Sequence, residues 1–99
     1  MNIKLKDYKS AIINGKKVIK LESTKNPLSY FNLALAYDLN NDFKKAIEFY
    51  KIVENSNLKE KKILFNNLAK CFLRNENILE AKNYYQRALE FDQNDKVIL

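Results

Sequence analysis

Three sets of side chains in this 99-residue chain are of the types that chemistry uses, and each lacks something its chemistry requires. Cys71 is the single thiol, and the chain has no His. A cysteine nucleophile works as a thiolate made by a neighbouring base, most often imidazole, so Cys71 reads as a small buried residue. The same census leaves no zinc site of the usual kinds and no internal disulfide. Asp38 with Glu76 or Glu80 would be the paired carboxylates of acid–base catalysis, yet carboxylates are common on any solvated helix and no spacing singles out a pair. Lys9, Lys16, Lys17 and Lys20 form a basic patch suited to phosphate or another anionic surface. That patch has no Arg and no interleaved exposed aromatics, which removes the stacking half of a single-strand platform and disfavours nucleic acid. The expectation is a protein that is not an enzyme, with no cofactor and no metal.

Charge and hydropathy narrow the class further. Lys and Arg number 18 against 12 Asp and Glu, a net charge of +6. The excess is local, since residues 1–26 hold seven Lys against Asp7 and Glu22, whereas 27–61 sum to zero. Any electrostatic footprint therefore belongs to the N-terminal end. No secretory leader is recognisable in the first residues, and no stretch approaches the ~18 apolar residues a membrane span needs, so the expected setting is cytoplasmic without membrane insertion.

The elements that position these residues repeat. Shifting the chain forward by 35 residues carries Tyr30, Leu33, Ala34 and Tyr37 onto Phe65, Leu68, Ala69 and Phe72, and Ala46, Tyr50 and Val53 onto Ala81, Tyr85 and Ala88. The opposite shift finds a partner only for the second half of that unit: Asp42, Phe43, Lys44, Ala46, Ile47 and Val53 land on Asp7, Tyr8, Lys9, Ala11, Ile12 and Val18. Self-similarity at this period marks an array of helix pairs that bury their apolar faces on one another. One repeat domain is expected, with a half repeat over 7–26, repeats over 27–61 and 62–96, and residues 97–99 as a stump or tail.

Apolar periodicity predicts five helices and no strand. The first starts at Asp7 and turns Tyr8, Ala11, Ile12, Val18, Ile19 and Leu21 inward. Gly15 lies inside it, where the other two copies have Tyr50 and Tyr85, so this face is either unusually close to a neighbour or poorly packed. Pro27 opens the second helix behind an Asn26 cap, and Leu28–Leu39 is apolar nearly all round, the mark of a helix covered on more than one side. Asp42 is the expected cap of the third helix, which runs to about Glu54. A fourth spans about Glu60 to Arg74. The last runs from Ile78 to about Phe91, burying Ala81, Tyr85, Ala88 and Leu89, with Asp92–Lys96 as the next connector. The Ala at 11, 46 and 81 admits a close partner helix, and the aromatics at 30, 37, 50, 65, 72 and 85 fill the gaps between hairpins.

An aromatic, two residues, Leu, a small residue, two residues, an aromatic, and later Ala, three residues, an aromatic: this spacing resembles the tetratricopeptide repeat family over nearly the whole chain. Leu58 and Gln93 stand where that family often has Pro, and Ala34 and Ala69 where it often has Gly. The resemblance implies an all-α, right-handed superhelix of antiparallel helix pairs, a scaffold for protein–protein interaction whose concave groove holds a peptide or a partner helix. Carried over position by position, the groove would be lined by Leu28, Phe31, Asn32, Leu35, Asp38 and Leu39 in one unit and Ile63, Asn66, Asn67, Lys70, Leu73 and Arg74 in the next. Phe31 and Leu35 would either be covered by the N-terminal helix or by self-association or suit an apolar partner side chain, while Asn66, Asn67, Lys70 and Arg74 would hydrogen-bond a peptide backbone or an acidic group. Leu28, Phe31 and Ile63 stand where relatives that grip acidic chaperone tails need charge or amide, which disfavours that ligand.

A different class of function is self-association. An array that begins with a lone second helix exposes Ala11, Gly15 and Val18, which a second copy would cover in a homo-oligomer, or chains would stack end to end through Val97, Ile98 and Leu99.

Overall fold

The computed structural model describes residues 7–23, 25–58 and 61–97, with side chains as far as Phe91. The lead-in 1–6, Thr24, Lys59, Glu60, Ile98 and Leu99 lie outside the described residues. Five α-helices and no strand are present among the described residues: α1 Tyr8–Leu21, α2 Pro27–Leu39, α3 Phe43–Glu54, α4 Lys62–Arg74 and α5 Ile78–Val97. Each packs on the next along the chain. Antiparallel pairs stacked in sequence order are what amphipathic helices joined by short turns produce. The nearly all-apolar α2 lies between α1 and α3, as its composition requires.

The turns repeat as faithfully as the sequence does. Asn40 N donates to Ala36 O at 3.0 Å and Asp42 N to Tyr37 O at 2.9 Å; one period later Asn75 N donates to Cys71 O at 3.0 Å and Asn77 N to Phe72 O at 2.8 Å. Both turns put a non-glycine residue in the left-handed region, Asn41 at φ 65° and Glu76 at φ 64°. Asn tolerates that conformation through its short polar side chain, whereas Glu has no such relief.

Helix ends follow local chemistry with three departures. Asn26 Oδ1 accepts from Leu28 N at 3.1 Å, and Pro27 sits in the first turn of α2. Asp42 occupies the N-cap position of α3 but its side chain caps nothing. The turn engages its backbone N–H, which donates to Tyr37 O at 2.9 Å. The fourth helix starts at Lys62, because Lys61 Nζ bonds Glu54 O and Ser56 O, both at 3.0 Å, and holds the connector to the end of α3. The expected connector Asp92–Lys96 is instead the end of α5, which continues to Val97. Residues 78–97 contain neither Gly nor Pro, so nothing in the sequence stops the helix.

The core is a continuous stack of Leu33, Ala34, Ala46, Tyr50, Val53, Leu64, Leu68 and Ala69, all fully buried. Burying a large side chain of this kind stabilises by about 1.5–3 kcal/mol. Ring pairs recur with the repeat: Tyr37 stacks on Phe49 with centroids 5.6 Å apart, and Phe72 on Tyr84 at 5.6 Å. Phe49 and Tyr84 are one period apart and lie outside the aromatic positions 30, 37, 50, 65, 72 and 85 expected to fill the gaps between hairpins. The expected equivalence of those two also breaks: Tyr50 is fully buried against α4, whereas Tyr85, with no described unit beyond it, is half-buried.

The ends of the array account for the remaining departures. Ala46 and Ala81 are buried by their hairpin partners, but Ala11, which has none among the described residues, is exposed. Only Ile12 of the expected apolar side of α1 is buried, with Tyr8 and Ile19 half-buried and Val18 and Leu21 exposed. Leu89 is exposed as well. Gly15 faces α2, not an open edge: a Cβ there would lie 3.0 Å from Leu33 Cδ1, so a side chain at this position would require Leu33 to give way by a few tenths of an ångström.

Candidate functional site

The twelve expected groove residues separate into those spent on packing and those left open. Phe31 is half-buried with its ring 5.6 Å from that of Tyr50. The Asp38 side chain, 12% exposed, accepts from Tyr50 Oη at 3.1 Å and lies 4.0 Å from Arg74 Nη1. Arg74 also covers the Phe43 ring at 5.6 Å. These contacts join α2, α3 and α4 at the point where Asn67 is half-buried. Leu28, Ile63, Leu73 and Lys70 are exposed. Asn66 lies apart from Lys70 and Arg74, in a depression shared with Tyr85, Ala88 and Leu89.

The structure brings Asn32, Leu35 and Leu39 together with Tyr8 and Ala11 of α1 around a depression of about 310 Å³. Asp7 and Ala36 complete it, and Leu39 is 49% exposed there. Tyr8 is half-buried and Ala11 exposed, because among the described residues no helix covers them as α2 covers Phe43 and Ala46.

Register relates this depression to a surface that is covered further along the chain. One period later its lining positions are Asp42, Phe43, Ala46, Asn67, Lys70, Cys71 and Arg74. There a helix is in place: α2 offers Asp38 to Arg74 and the Tyr37 carbonyl to Asp42 N. By register the α1/α2 depression is equivalent to the surface that α2 covers one period later, with Leu35 and Leu39 where that covered surface has Lys70 and Arg74.

Among the described residues three groups carry shifted acidities. Burial, then the Asp38 charge, pushes the Cys71 thiol up to about 12, so it stays a thiol at neutral pH. Tyr50 is raised by burial and by Asp38, and Tyr84 by burial and its bond to Glu54. Glu54 Oε1 accepts from Tyr84 Oη and Oε2 from Arg87 Nη1, both at 2.8 Å, which joins the end of α3 to α5. These groups sit at helix junctions, not around an open cleft. Among the described residues no group of three or more His, Cys, Asp or Glu side chains is placed to hold a metal ion.

Lys16, Lys17 and Lys20 of the basic patch line a second depression, of about 450 Å³, on the other flank of α1, whereas Lys9 stands outside it. Its floor is Ile13, Ile19, Leu33 and Phe49. Ile13 and Phe49 formed no part of the sequence-derived site.

The sequence model of one protein family, described as Tetratricopeptide repeat, matches residues 28–51 and 64–95. Comparison with curated proteins gives no match, and neither does comparison with solved structures.

Proposed function

The chain belongs to the tetratricopeptide repeat family, and from that premise we propose that it is a non-catalytic scaffold that holds a helix or peptide of a partner protein in the groove between α1 and α2. The observation that carries this reading is the equivalence of that groove with the seat that α2 fills one period later. Residues 7–26 then act as the second helix of an incomplete unit, and 27–61 and 62–96 as two complete ones. Because Leu35 and Leu39 replace Lys70 and Arg74, the partner presents an apolar face where α2 presents Asp38. Lys70, Asn67 and the exposed Leu28, Ile63 and Leu73 extend the contact surface along α2 and α4.

A second reading rests on Ala11, exposed where Ala46 and Ala81 are buried. A second copy of the chain covering that seat would make a homodimer.

One variant tests both. Leu35→Lys with Leu39→Arg installs the residues the second unit already carries, so the fold is retained. Affinity capture with the wild type and this variant, read by mass spectrometry, is expected to show a partner that only the wild type retains. Sedimentation across a concentration series identifies self-association if the wild type dimerises and the variant does not. A partner held equally by both proteins places the site elsewhere.

A further inference from the structure

The depression on the lysine flank of α1 is distinct from the groove between α1 and α2: at 100° per residue Ile13, Lys17 and Lys20 lie on the side of the helix away from Ala11. What it lacks is visible in the junction one period later. There Glu54, Tyr84 and Arg87 close the space between α3 and α5 with two 2.8 Å hydrogen bonds to one carboxylate. At the α1/α3 junction the same three positions are Ile19, Phe49 and Ile52, which make no such bonds, and the space stays open over an apolar floor. Ile13, where the later junction has Glu48, is 55% exposed. Three cations surround this floor, and among the described residues none of Lys16, Lys17 and Lys20 forms an ion pair. In the later junction only Lys51 keeps its charge at these positions, since Ile52 and Asn55 replace the other two, and a carboxylate is supplied from within.

We propose that this depression is a docking site for an acidic peptide segment, one bulky apolar side chain entering between Ile13 and Phe49 while flanking carboxylates pair with Lys16, Lys17 and Lys20. An apolar floor ringed by unpaired cations is complementary to that chemistry. Nucleic acid would need ring faces for its bases, and the Phe49 ring is already engaged by Tyr37 at 5.6 Å and Tyr30 at 6.2 Å.

The probe is a fluorescein-labelled 12-residue peptide of Glu residues around a central Leu-Phe pair, titrated with the full chain and followed by anisotropy. Two control peptides carry Ala-Ala for the central pair or Gln for every Glu. Saturable binding of the first peptide, weakened several-fold in both controls, is expected. Lys16→Gln, Lys17→Gln and Lys20→Gln together should weaken it about tenfold, since each partly exposed pair contributes a factor of roughly 1.5 to 5. Ile13→Glu, which copies Glu48, should abolish it. The triple change Lys44→Gln, Lys45→Gln and Lys82→Gln removes the same charge elsewhere and should leave binding within about twofold, with circular dichroism confirming that every variant is folded. Equal losses in the two triple variants would reduce the site to the general field of the protein and overturn the proposal. So would tighter binding of a 12-nucleotide single strand, or of vesicles of four parts phosphatidylcholine to one of phosphatidylserine, through the same lysines. The groove variant Leu35→Lys with Leu39→Arg should not weaken the peptide, so a failure of the groove reading and a failure of this one give different patterns.

Discussion

Removing the Glu54 carboxylate tests whether α3 and α5 are joined by a specific lock or by apolar contact alone. Glu54→Ala leaves Tyr84 Oη, on a residue only 4% exposed, without its acceptor at 2.8 Å. A hydrogen bond to a charged group contributes about 1.5–3 kcal/mol when its partner is buried. The Arg87 side chain is 42% exposed, so water screens the second bond, which adds only about 0.2–1 kcal/mol. The expected loss is about 2–3 kcal/mol, and with a urea slope on the order of 1–3 kcal/mol per molar the midpoint falls by about 0.7–3 M. Equilibrium urea unfolding followed by far-ultraviolet circular dichroism measures it. Glu54→Gln retains an acceptor and should lose roughly half as much. A cycle with Tyr84→Phe should return a coupling of about 1 kcal/mol or more, because the two groups form one bond. The reasoning fails if Glu54→Ala stays within about 0.5 kcal/mol of wild type, or if the two changes simply add.

The raised acidities of Cys71, Tyr50 and Tyr84 imply alkaline instability. The unfolded chain releases these protons from about pH 9–10 upward while the folded chain keeps them, so stability falls as pH rises, by about 1.4 kcal/mol per pH unit for each group. Urea midpoints should hold to about pH 8.5 and drop steeply by pH 11; a flat profile would contradict the burial of these groups. Glu76→Asn copies Asn41 into the second left-handed turn position and should raise the thermal midpoint, by about 0.5–1 kcal/mol of stability, in a melting experiment. At Gly15, where an added Cβ would press on Leu33, Gly15→Val should destabilise by about 1–3 kcal/mol in urea unfolding, whereas a neutral result would show α1 free to move off α2.

What was legible in the chain was whatever repeats within one unit. The five helices and both turns follow from apolar periodicity and short polar breaks, because hydrogen bonds within a helix and its immediate hairpin are local. Ala34, Leu33 and Ala46 are core in any helix pair with this spacing. The period also predicts that equivalent residues share an environment, and there it misleads. Tyr50 and Tyr85 differ, as do Ala46 and Ala11, because burial depends on whether a neighbouring helix stands on the far side, which no single unit encodes. Phe31 and Asp38 looked free for a ligand until α3 and α4 were in place to engage them.

The sequence by itself determined that this is an array of helix pairs, and excluded the residue sets that common metal and imidazole chemistry requires. Only the tertiary structure decided where that array is open. The depression between α1 and α2 and the cationic one on the other flank of α1 are each made of residues far apart in the chain. Both are open because contacts made one period later, α2 on Arg74 and Glu54 between Tyr84 and Arg87, have no counterpart at the first junction among the described residues.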